Sequence, residues 1–250
     1  MRVLVSEDLA INWDAPILIN GAYRVFSGQI PHVDFSTPIG PIIFMASSFG
    51  MWLTTPSLLG MNLGLILFSI ALLILCILSM RKHLTPNLTL LLAIFLAAFL
   101  FSPRMLSMRT LDYGYTGINN LYGYAIFFMG ALATFGDINV DTKKPWDSLI
   151  KGVYLGALIA ILVFLKNSFG LGLLVLSAAY FFVTRQMRSF GLGVLLGLLF
   201  VTGIFIWYFQ GDIYPFIRDQ YFVIQARLDE HPFSRSDFVD VFIRKTYIDN

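Results

Sequence analysis

The chain has 250 residues, 57% of them hydrophobic and only 13% charged, with a mean hydropathy of +0.75. Soluble domains carry about 45–50% apolar and about 25% charged residues, so this balance excludes an ordinary soluble globule and implies a polytopic membrane protein. The formal net charge of +2 gives no footing for a nucleic-acid partner, and a single cysteine, Cys76, excludes an intrachain disulfide.

Residues 1–13 carry Glu7 and Asp8 and hold no apolar run of signal-peptide length, so this stretch reads as polar ground. From Asp14 the text is DAPILINGAYRVFSGQIPHVDFSTPIGP. Ile17, Leu18, Ala22, Tyr23, Val25 and Phe26 recur with helical spacing. Asp14 is suited to cap such a helix, and Pro16 to its first turn. Gly28 ends it and Pro31 blocks continuation. The expectation is a short surface helix bracketed by two acids, Asp14 and Asp34.

Seven apolar segments follow, near 39–54, 57–80, 88–102, 121–136, 149–165, 169–184 and 190–209. A spanning helix needs about 20 mostly apolar residues, so several qualify only with their flanks. The fold class expected is all-α, a polytopic transmembrane helix bundle. Phe-Gly-Leu-Gly occurs at 169–172 and again at 190–193, and small residues of this kind allow close helix approach. Asn87-Leu88-Thr89 has the form of a glycosylation sequon but stands where a helix begins. Cys76, inside an apolar run, reads as a buried, inert thiol.

Loops 81–87, 137–151 and 185–189 are richer in Lys and Arg than loops 103–120 and 166–168. The first set is therefore expected on the cytoplasmic side, and the second, with the tail from 210, outside. Residues 1–38 join the inner set if 39–54 and 57–80 both cross, and the outer set if only one crossing is made. Pro38, Pro41 and Pro56 would suit a partial helix. Three regions result: an N-terminal loop with a juxtamembrane helix (1–38), a helical membrane domain (39–209) and a polar, aromatic tail (210–250) that begins with an amphipathic surface helix.

Polar residues are scarce enough to weigh singly. Asp14 and Asp34 are candidate catalytic carboxylates, with a helix cap and a turn as their plain alternatives. Arg24, Arg104, Arg109, Lys166 and Arg218 are candidate partners for an anionic phosphate. Interfacial placement is the plain alternative for Arg104 and Arg109, and snorkelling for Lys166. Asp112, Tyr113 and Tyr115 form a candidate sugar or acceptor loop. With Tyr122 and Tyr124, the same tyrosines also read as an interfacial aromatic belt. His32, His83 and His231 are scattered, and no metal site is assigned.

The order Asp14, then Ala22-Tyr23-Arg24, Gly28-Gln29-Ile30-Pro31, Asp34-Phe35 and Pro38-Ile39-Gly40-Pro41, resembles the first external loop of GT-C superfamily glycosyltransferases. It looks most like the bacterial branch similar to protein O-mannosyltransferases and aminoarabinose transferases. Leu165-Lys166-Asn167-Ser168-Phe169-Gly170 resembles a lysine-containing link between later helices of that family. The likeness is specific over about 30 residues and extends to the rest only as layout. Two departures stand out: Ala15 follows Asp14 where many members have a second acid, and Thr37-Pro38-Ile39-Gly40-Pro41 replaces a Lys-Pro-Pro run.

The resemblance implies transfer of a sugar from a polyprenyl-phosphate donor to a glycan, lipid or protein acceptor at the outer face of a bacterial plasma membrane. Asp14 would be the general base and the cations above would hold the donor phosphate. A divalent metal serves some members, and Asp14 and Asp34 are the residues that would share it. The family layout continues beyond both ends, so the chain is expected to be a piece of a longer enzyme. The competing expectation is a non-catalytic component, a transporter subunit or an envelope-assembly scaffold. Against a transporter, ionisable residues between 39 and 210 lie almost wholly in loops, whereas substrate paths place them at mid-helix.

Overall fold

A computed structural model describes residues 14–101, 115–135, 145–184 and 187–230. Every regular element among them is an α-helix: α1 (Asp14–Phe26), α2 (Pro41–Leu53), α3 (Leu58–Met80), α4 (Pro86–Phe101), α5 (Tyr115–Phe135), α6 (Pro145–Leu165), α7 (Asn167–Thr184), α8 (Met187–Tyr208) and α9 (Tyr214–Glu230). Three stretches, Leu58–Met80, Pro145–Leu165 and Arg188–Tyr208, are long and apolar enough to cross a membrane.

Local chemistry explains the boundaries. α1 closes with Gly28 at φ 89°, where the Gly28 N–H donates to the Val25 carbonyl (3.0 Å) and the Gln29 N–H to the Arg24 carbonyl (2.9 Å). This is a Schellman cap, satisfying carbonyls that would otherwise be orphaned. The same device ends α8, with Gln210 taking the left-handed position at φ 59°. Ser57 caps α3 by accepting from the Gly60 N–H at 3.2 Å. Helices α4 and α6 begin at Pro86 and Pro145, two to four residues before their apolar runs. Proline lacks the N–H that a first turn leaves unpaired anyway.

Side-chain contacts fix the helix directions. The Tyr122 hydroxyl on α5 donates to the Leu65 carbonyl of α3 at 2.9 Å and lies 3.1 Å from Ser69 Oγ; Cys76 Sγ sits 3.7 Å from the Ala125 carbonyl. Thus α3 and α5 run the same way, with α4 returning between them. Asn119 on α5 reaches the Leu165 carbonyl at the far end of α6, so α6 runs opposite to α5. α6 and α8 are parallel and in direct contact, and α7, which connects them in the chain, packs against α5 and α6.

Among the described helices, α6 and α8 make the most extensive contact. Gly152 and Gly156 on α6 face Gly193 and Gly197 on α8. A Cβ at Gly156 would run into the Val194 carbonyl, and one at Gly197 into that of Val153. Each helix carries small residues four apart, which lets backbones touch and gain dispersion contacts that larger side chains would block. Of the two Phe-Gly-Leu-Gly segments, the one at 190–193 supplies Gly193 to this seam.

α2 forms an antiparallel hairpin with α3, Gly50 meeting Gly64 and Met51 meeting Gly60. Its 13 residues span about 20 Å at 1.5 Å per residue, short of the roughly 30 Å of a bilayer core. α1 lies on α2, burying Leu18 and Ala22, with Gly21 against the Phe44 ring. Gly40, where α2 begins, abuts the Phe164 and Leu165 carbonyls at the end of α6.

Two poles result. One collects α1, the 27–40 loop, the start of α5, the α6–α7 turn and α9. The other collects the ends of α3 and α5 and the start of α6. α2 doubles back on α3, and the N-terminal loop shares a pole with Lys166 and α9.

Candidate functional site

The 27–40 loop is held by its own backbone. The His32 N–H donates to the Phe35 carbonyl at 2.8 Å, and the N–H groups of Val33 and Asp34 donate to the Ile30 carbonyl at 3.2 and 2.9 Å. Asp34 closes the turn, its Oδ2 accepting from the Ile30 N–H at 2.7 Å. The turn reading of Asp34 is therefore visible in the structure. Phe35 beside it is buried edge-on to Phe44 (6.1 Å), and the Arg24 guanidinium lies 4.7 Å from the Phe35 ring centroid.

His32 is the unexpected residue. It has φ 69° and a fully buried side chain. A left-handed conformation costs a non-glycine residue about 1–2 kcal/mol and persists only where the surroundings over-determine it. They do so here. His32 Nδ1 donates to Asp219 Oδ2 on α9 at 2.9 Å, across 187 residues of sequence. The same oxygen accepts from the Thr37 N–H at 3.1 Å. Arg218 contacts the other carboxylate oxygen and Ser36 Oγ, both at 3.4 Å. The imidazole packs edge-on against Phe216 (4.9 Å) and Phe209 (6.1 Å), in a cluster completed by Phe164 and Phe205. Burial in this apolar surround pushes the His32 pKa below 6.5, and the hydrogen bond and charge of Asp219 oppose the shift without cancelling it.

Around this latch lie further polar groups. Lys166 Nζ donates to Asn120 Oδ1, and Asn167 Nδ2 donates to Gln220 Oε1 at 3.1 Å. His32 Nε2, Asn119 Oδ1 and Asn167 Oδ1 are buried with no hydrogen-bond partner among the described residues. Each such group costs about 1–3 kcal/mol unless water or a ligand meets it.

The pole thus brings together Arg24, Asp34, Lys166 and Arg218 from the sequence-derived set. Asp14 is the first residue of α1. Tyr115 opens α5. Arg104, Arg109, Asp112 and Tyr113 lie outside the described residues, as does His231. Tyr122 is corrected from belt to core: it is 1% exposed and bonded to α3. Tyr124 remains half-exposed, edge-on to Phe169 at 4.8 Å. Among the described residues no group of three or more His, Cys, Asp and Glu side chains gathers as a metal would require.

His32, Thr37, Asp219, Asn119, Asn120 and Asn167 were not among the sequence-derived candidates. No local motif marks a contact 187 residues long. The one usable signal was the amphipathic tail helix, whose acid must face either solvent or a partner. Comparison with protein-family models, curated proteins and solved structures finds no match for this chain.

Proposed function

We propose that this is the chain of a multi-pass membrane glycosyltransferase that moves a sugar from a polyprenyl-phosphate donor to a glycan, lipid or protein hydroxyl at the outer membrane face. The observation that carries this reading is the polar pole itself. Cationic Arg24, Lys166 and Arg218 stand at this pole together with three buried polar atoms, His32 Nε2, Asn119 Oδ1 and Asn167 Oδ1, that have no partner among the described residues. Cations suit a phosphate leaving group, and unpaired acceptors suit the hydroxyl donors of a sugar.

In this reading the Asp14 carboxylate takes the proton of the acceptor hydroxyl as its oxygen bonds to the anomeric carbon. The bond from that carbon to the donor phosphate oxygen breaks, and the polyprenyl phosphate leaves with its charge held by the cations. Asp34 keeps the loop in register through its bond to Ile30.

The test is sugar transfer from a radiolabelled polyprenyl-phosphate sugar in membranes carrying the gene's full coding sequence. Asp14→Asn is expected to lower the rate about 10²–10⁴-fold with insertion unchanged. Undiminished transfer would remove Asp14 as the base. A cysteine placed at exposed Ser27 is expected to react with an impermeant thiol reagent from outside. Labelling only from the cytoplasm would end the glycosyltransferase reading in favour of a non-catalytic membrane component.

A further inference from the structure

The opposite pole holds a cleft that the proposed reaction does not use. It lies between the end of α3, the end of α5 and the start of α6, with a volume of about 530 Å³. That is within the range of about 300–1,000 Å³ typical of small-molecule sites. Leu75, Leu78 and Ile150 give it apolar lining, while Lys82, Lys151 and Asp147 contribute charge.

We propose that this cleft binds the headgroup and upper acyl chain of an anionic phospholipid. The proposal stands apart from the glycosyltransferase reading. Charge supports it first. Among the described residues, this pole presents Arg81, Lys82, Lys151 and Arg188 against the single acid Asp147. Lys151 is braced in place, its amine donating to the Tyr180 hydroxyl at 3.0 Å and the Thr134 carbonyl at 3.3 Å. Basic pockets between membrane helices on the cytoplasmic side recognise anionic headgroups, and the excess of Lys and Arg assigns this pole to that side.

The apolar lining beside the charges favours a lipid over a free anion. Leu75, Leu78 and Ile150 are 53, 51 and 53% exposed, although each belongs to the cleft wall. A soluble phosphate would leave that apolar surface uncovered. A phospholipid covers it with its chain while its phosphate meets Lys82. Leu75 and Leu78 lie one to two turns further into the bundle than Lys82, which is the order of chain and headgroup in a leaflet.

The experiment is native mass spectrometry of the full chain in detergent, titrated separately with phosphatidylglycerol and phosphatidylcholine of the same chain length. Preferential retention of phosphatidylglycerol is expected. Lys82 and Asp147 are both exposed, so Lys82→Gln and Asp147→Asn leave the packing intact, which circular dichroism checks. One surface charge changes anionic-lipid affinity about fivefold. Lys82→Gln should therefore weaken retention about fivefold and Asp147→Asn strengthen it about fivefold. Leu78→Ser, which alters the wall without touching charge, should weaken retention of phosphatidylglycerol as well. Equal retention of the two lipids, or variants that all behave as wild type, would overturn the proposal. Displacement of the lipid by glycerol 3-phosphate at equal concentration would assign the cleft to a soluble anion instead.

Discussion

Replacing Asp219 with alanine removes the acceptor for the bonds that tie the N-terminal loop to α9. The His32 imidazole N–H (2.9 Å) and the Thr37 backbone N–H (3.1 Å) would each lose a charged partner inside an apolar cluster. Hydrogen bonds to a charged group contribute about 1.5–3 kcal/mol each. The Arg218 contact, on an exposed side chain, adds little. The expected loss is about 3–6 kcal/mol for the docked loop, less what release of the His32 strain returns. Much of it should appear as local opening, because the strained His32 backbone would be released at the same time. Purified protein in detergent should then show faster proteolytic cleavage within 27–40 and at α9, with the α6–α8 helices still protected. Asp219→Asn keeps the shape and one acceptor oxygen and should lose less. Unchanged cleavage in Asp219→Ala would refute the latch, since two buried donors cannot lose their acceptor at no cost.

The same pair sets a pH dependence. The folded pKa of His32 lies below its unfolded value of 6.5, so the unfolded chain binds the proton more readily. Stability of the loop is full above about 6.5 and falls as pH drops from there toward the lowered folded value. Proteolysis of 27–40 should accelerate below pH 6.5 in the wild type, and His32→Asn should remove that acceleration. At the α6–α8 seam, Gly197→Val should force the helices apart and destabilise the bundle by about 1–3 kcal/mol or more, read as a lower melting temperature in detergent. Gly203→Ala, where an added Cβ meets nothing within 4 Å, should be neutral or stabilise by up to about 1 kcal/mol through helix propensity. A matching loss at both positions would show that the seam is not what Gly197 serves.

The helices themselves were legible because their causes are local. A run such as Leu58–Met80 has no polar group to satisfy outside the helix, and Gly28 and Pro31 mark the end of α1 by backbone chemistry that any three residues reveal. Asp34 was legible as a turn residue for the same reason. The polar pole was only half legible. Arg24, Asp34 and Lys166 stood out as polar residues in apolar text. Nothing in that text distinguished Tyr122, a core residue bonded to Leu65, from Tyr124, exposed two residues later.

What the sequence by itself determined is the class: an apolar, helical chain with polar material at its loops and tail, because composition and short-range periodicity act within a few residues. What only the tertiary structure decided is which loops share a pole. The hairpin of α2 on α3 brings the N-terminal loop to Lys166, and the fold of α9 carries Asp219 to His32. Both depend on helix packing, where glycine seams and buried hydrogen bonds join residues far apart in the chain. Such contacts are chosen by shape complementarity over the whole bundle, which no single stretch of sequence contains.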